Sequence, residues 1–212
     1  MSSGNVYQFK ITLDNVRPTV WRRIQVPADY TMWDLDVAIL NAMGWDGGHL
    51  HGFCTIAGQR GSHMSDVVHI GFPSKDFSVG DERKIWEESI ADWFIPSMRD
   101  RMKHQYDYGD GWEHMIVLEK IVEAEKGMKY PRCIAGKNAC PPDDCGGPWG
   151  YMELLEIYTN GPKNEDQKEQ LEWLISDYGE WDAEKFVTDE DVEFWDTKRK
   201  TAYLRAMQKS LD

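Results

Sequence analysis

The apolar residues of this chain change their period part-way along. Val6, Phe9, Ile11 and Leu13 fall near alternation, and Val20-Trp-Arg-Arg-Ile-Gln-Val26 repeats that pattern after Pro18. Period two is the mark of a strand with one buried face. After Gly150 the spacing becomes helical: Tyr151, Leu154, Leu155 and Tyr158 form one stripe, Leu171, Leu174 and Ile175 a second, and Val192, Trp195, Tyr203 and Met207 a third. Strands first and helices last predict an α+β fold, an antiparallel or mixed β-sheet packed with helices and a helical C-terminal third. The helices are too short and too few to build a core of their own, so a single domain over residues 1–212 is expected.

Local signals place the elements. A turn at Asp14-Asn15 joins the first two strands. Thr31 and Asp34 form a capping box ahead of Leu35, Ala38, Ile39, Ala42 and Met43, and Gly44 ends that helix. His49-Leu-His-Gly-Phe-Cys-Thr-Ile56 reads as a strand, Val67 to Phe72 as a shorter one, and Gly71 to Asp81 as a loop. Ile85 to Met98 is helical in part, limited by Pro96. Residues 104–122 read as a hairpin turning at Gly109-Asp110-Gly111. Lys126 to Gly150 holds four prolines and five glycines and reads as one long irregular stretch, too long for a passive connector.

Composition sets outer limits. With 41% hydrophobic and 29% charged residues the chain is ordinary globular material. Thirty-seven acids against 24 bases give a net charge of -13, which disfavours general binding to nucleic acid or an anionic membrane. The basic groups Arg17, Arg22 and Arg23, and Lys198 to Lys200 with Arg205, are read as solvated strand edges and helix ends. No apolar run reaches the ~18–20 residues that span a bilayer, and the first residues lack a secretory pattern. A cytoplasmic location is expected, with Cys54, Cys133, Cys140 and Cys145 as thiols or metal ligands. Ten Trp are too many to be incidental; they serve as core anchors or binding walls.

Four segments stand together: Phe9-Lys-Ile-Thr-Leu with Pro18-Thr-Val-Trp-Arg-Arg-Ile24; His49-Leu-His-Gly-Phe53; Tyr106-Asp-Tyr-Gly-Asp-Gly-Trp-Glu-His114; and Cys140-Pro-Pro-Asp-Asp-Cys-Gly-Gly-Pro-Trp-Gly-Tyr151. In this order they resemble the plasmid pRiA4b ORF-3-like family over residues 5–196, with a C-terminal helix to 212. The resemblance implies a compact α+β fold found in mobile-element, bacterial and archaeal proteins. It implies no established reaction.

The same segments hold the candidate chemistry. Asp107 and Asp110, with Glu113 and His114 beyond, suit either a hard cation with an acid-base pair or a turn whose carboxylates satisfy backbone amides. His49 and His51, two apart on a strand, project from one face; with His114 on a neighbouring strand they would present three nitrogens to a catalytic Zn²⁺ or another divalent metal, with Glu113 or Asp110 as general base. Cys133, Cys140 and Cys145 are either ligands of a structural zinc or small buried hydrophobes. Gly146 to Tyr151 invites an anion, but the acids beside it repel phosphate. The expectation is a binding or accessory module for a protein or small molecule, with Asp107, Trp112, Asp144, Trp149 and Tyr151 lining a polar groove. A metal-dependent hydrolase or nuclease, and an interaction protein with a structural zinc loop, are the alternatives.

Overall fold

The computed structural model describes residues 4–57, 67–73 and 82–178, with the helical positions 202 and 205. The expected helix after Thr188 otherwise lies outside the described residues. In chain order the elements are β1 (Asn5–Leu13), β2 (Trp21–Pro27), α1 (Met32–Met43), β3 (His51–Thr55), β4 (His69–Gly71), β5 (Glu82–Lys84), α2 (Ile90–Trp93), β6 (Arg101–Tyr106), β7 (Trp112–Glu123), β8 (Arg132–Lys137), α3 (Gly147–Asn160) and α4 (Glu165–Tyr178). One sheet takes all eight strands in the order β5-β4-β3-β6-β7-β1-β2-β8. It is mixed, because β4 and β5 run parallel while the other neighbours are antiparallel. With α3 and α4 gathered after the strands, the fold is α+β. Among the described residues no helix is long and apolar enough to cross a membrane.

Alternation decides which side chains meet. Phe9, Ile11 and Leu13 of β1 stand opposite Leu118, Ile116 and His114 of β7, so their row faces the same interior as His104 and Tyr106 of β6. Helix α1 fills that interior. Its Thr31 hydroxyl accepts from the Asp34 amide at 3.2 Å while Asp34 Oδ2 accepts from the Thr31 amide at 3.1 Å, and Gly44 closes it in the left-handed region at φ 90°. Ten of its twelve residues are buried, more than a one-sided amphipathic helix allows. The cause is a second cover: the Met32 and Trp33 amides, donors that a helix start leaves unpaired, bond to Glu88 and Ile85 carbonyls. This double burial encloses Asp36.

Several local expectations change. Only Ile90–Trp93 of the Ile85–Met98 segment is helical, capped by Ser89. The long irregular stretch contains β8, which pairs with β2, and α3 begins at Gly147. Arg22, read as a solvated strand-edge charge, is fully buried. Its guanidinium donates to the carbonyls of Ala42, Trp21, Lys137 and Asn138 at 2.9–3.2 Å, which ties the C-terminal end of α1 to the chain leaving β8. Helix-end carbonyls are natural acceptors for a cation.

Candidate functional site

Two polar clusters lie near Tyr106. The inner one starts from the β6–β7 register, which sets His104 opposite His114, and from the β3–β6 register, which sets His51 opposite Tyr106 and Phe53 opposite His104. All these side chains point toward α1, where Asp36 meets them. Asp36 Oδ1 lies 2.7 Å from His104 Nε2 and 2.9 Å from His51 Nδ1. His104 Nδ1 is 3.2 Å from His114 Nδ1. Burial pushes the Asp36 carboxyl up, but the two imidazoles outweigh it and hold it at about 2. Burial lowers His104, with Asp36 opposing, and holds His114 well below the usual imidazole range, helped by His104. The inner cluster thus sets an ionised Asp36 beside His104 and His114, both held toward the neutral form.

The outer cluster forms at the rim. His49 sits in the bend before β3 rather than on the strand, so alternation does not carry it inward with His51. Its Nδ1 is 3.4 Å from Asp107 Oδ2 and its Nε2 is 3.3 Å from Asp144 Oδ1. Asp107 serves two purposes with its two oxygens: Oδ1 accepts from the Gly109 and Asp110 amides at 2.9 and 3.3 Å, and Oδ2 faces His49. Asp144 projects into solvent, its side chain 72% exposed. Behind this rim Asp143 Oδ2 accepts from the Asp46 amide. Burial raises the Asp143 carboxyl, opposed by that amide and the Tyr106 hydroxyl.

Glycines bring the 107–111 turn and the Cys140–Tyr151 loop together. A Cβ on Gly147 would run into the Asp110 carbonyl, and one on Gly150 into the Cys145 carbonyl, while the Gly146 amide donates to Asp110 Oδ2 at 3.2 Å. Beyond the loop, α3 and α4 frame a cavity of about 560 Å³ lined by Asp144, Glu153, Leu154, Asp166, Glu169 and Trp173 among others. Asp144 therefore belongs to both the His49 rim and this cavity.

The sequence-derived candidates divide between these places. His49 is at the rim, whereas His51 and His114 are in the inner cluster, separated by the intervening strand β6. Among the described residues, Asp36, His51 and His104 form one group of donors within 4.8 Å of one another, and His49, Asp107 and Asp144 form another; neither contains a cysteine. Cys133 is buried with its Sγ toward the Ala135 carbonyl, and burial pushes the Cys140 thiol up and the Cys145 thiol to about 12. Glu113 lies on the opposite sheet face from His114, bonded to Lys103 at 2.7 Å and Gln105 at 3.2 Å. Trp112 and Tyr151 are core residues with ring centroids 6.4 Å apart, while Trp149 is 88% exposed. Asp36 and His104 escape the sequence reading. Counting back across the Gly109–Gly111 turn from Trp112 to Tyr106 would have paired His114 with His104, but Asp36 sits in an apolar helix with no local sign of its partners.

The fold and its two clusters define a mixed-sheet α+β protein with a buried Asp-His network beneath an acidic rim. The chain belongs to the plasmid pRiA4b ORF-3-like protein family, whose model matches residues 5–190. It is similar to the uncharacterized protein y4hQ of Sinorhizobium fredii, 36% identical over 178 residues that cover 82% of this chain and 84% of that one. It is also similar to the crystal structure of protein of unknown function MM3350 from Methanosarcina mazei Go1, with a TM-score of 0.76 and 34% identity, covering 91% of this chain and 100% of the other. Neither relative's name carries an activity.

Proposed function

We propose that this protein is a binding module that holds a cationic group of a protein or small-molecule partner in the groove running from the His49 rim into the α3–α4 cavity. One observation carries the reading: Asp144 joins the His49–Asp107 rim to a cavity whose wall bears Glu153, Asp166 and Glu169 beside Trp173. Clustered carboxylates with an indole wall favour an ammonium or guanidinium group through Coulomb attraction and cation–π contact. A Lys- or Arg-bearing peptide tests this, titrated by calorimetry at low and high salt. Asp144→Asn and Glu169→Gln each weaken binding about three- to fivefold, the scale of one exposed charge pair, whereas Glu123→Gln on the distant end of β7 leaves it unchanged. Equal losses in all three variants would reduce the effect to bulk net charge and reject the groove.

A second reading rests on the three convergent donors His49, Asp107 and Asp144, which suit a divalent metal ion at the groove mouth. Mn²⁺ or Zn²⁺ would then bind on its own and lose affinity in His49→Ala. If the peptide and the ion compete, the mouth is the shared site. A hydrolytic role has less support, because Glu113 faces away from all of these groups.

A further inference from the structure

The network around Asp36 leaves two polar atoms without a counterpart. Among the described residues, Asp36 Oδ2 and His114 Nε2 are buried and make no hydrogen bond, and both side chains are wholly enclosed. A buried polar atom without a partner bears its full desolvation cost, greater when the group is charged. Asp36 Oδ2, a carboxylate oxygen of this network, points to a partner that neighbouring side chains do not supply. The donor set names its chemistry. One carboxylate and two imidazole nitrogens converge within 4.8 Å, the N/O set that suits Zn²⁺ and its first-row neighbours. We propose that Asp36, His51 and His104 form a buried site for one divalent transition-metal ion of the Zn²⁺ type, independent of the groove reading, with both Asp36 oxygens and one nitrogen of each imidazole as donors.

The surroundings fit that assignment. With Nε2 on the ion, His104 carries its proton on Nδ1 and donates it to His114 Nδ1, 3.2 Å away; His114 then keeps its own proton on Nε2. A metal-bound imidazole commonly makes such a second hydrogen bond, which fixes its tautomer. Bonds of 2.0–2.1 Å at a near-tetrahedral N–metal–O angle place each imidazole nitrogen about 3.3 Å from Asp36 Oδ1. The present pairs at 2.7 and 2.9 Å therefore open by roughly half an ångström to admit the ion.

The test uses the full chain, refolded from urea with Zn²⁺ or Co²⁺ because the site is closed to solvent, and then freed of loose ion by gel filtration. The expected result is one metal per chain by elemental analysis, with a visible Co²⁺ band of four-coordinate intensity. Asp36→Asn and His104→Gln each lower retention about tenfold or more, while His49→Ala combined with Asp107→Asn, which strips the groove mouth, retains the ion. Wild-type chain that refolds yet holds no stoichiometric metal and shows no Co²⁺ band overturns the proposal, as does retention lost in the groove double variant. If the Asp36 variant fails to fold, X-ray absorption on the wild type decides: a nitrogen/oxygen shell with imidazole scattering supports the site and a sulfur shell rejects it. Loss of peptide binding in Asp144→Asn has no bearing on any of these readings, so the two ideas fail separately.

Discussion

At the scale of single residues, the controlling event is the placement of one carboxylate. Asp36 interrupts the apolar run of α1 and receives two imidazoles on a single oxygen, so replacing it removes the common acceptor of His51 and His104. Leaving a buried donor without its acceptor costs about 1–3 kcal/mol. Asp36→Asn should lower urea stability by that order, and a loss below about 1 kcal/mol would mean the imidazoles rearrange freely. The residues of this network were unequally legible. His51 and His114 stood inside recognisable strings, and His104 was recoverable from turn symmetry. Asp36 was not, since helical periodicity says which face is buried but not which strand residues wait there. Trp112 and Trp149 show the same limit: both belong to distinctive strings, yet one is packed inside and the other stands in solvent.

At the scale of elements, the reading succeeded where local chemistry dictates structure. The Thr31–Asp34 box and the Gly44 stop bound α1 as expected from sequence alone, because capping is settled within a few residues. Thr31→Ala removes the acceptor of the Asp34 amide and the donor to its carboxylate. It should cost about 1 kcal/mol in a denaturant melt, and a smaller loss would mean that the Glu88 and Ile85 carbonyls alone hold the start of α1. The hairpins β1–β2 and β6–β7 were visible for similar reasons. Elements defined by partners were not. β8 hides among prolines and glycines and is a strand because β2 offers it a free edge, and β5 pairs in parallel with β4 across a distance no turn signal spans. The groove belongs to this class: its three segments meet through glycines that accept close backbone approach, a relation between segments rather than within one.

At the scale of the whole molecule, the buried ionisable groups set a pH window for stability. Asp36 is held at about 2 when folded against ~3.9 unfolded, so the unfolded chain binds more protons and stability falls as pH drops from about 4 to 2. His104 and His114 act in the same direction at higher pH: folded they resist protonation, unfolded they accept it below about 6.5. On the alkaline side burial raises the Cys140, Cys145 and Tyr151 groups, so unfolding releases protons from about 8.5 upward and stability falls again. A melting-temperature profile should therefore plateau between roughly pH 6.5 and 8.5; a melting point that rises on acidification below 6 would contradict the assignment of neutral buried imidazoles. The loop at 146–150 has a consequence of another kind. Gly147 and Gly150 admit no side chain because backbone oxygens occupy the space, while Trp149 between them touches little of its own chain. A saturation library over these positions would separate architecture from recognition: intolerance at 147 and 150 measures what the fold demands, whereas selection for an aromatic at 149 would have to originate outside the molecule.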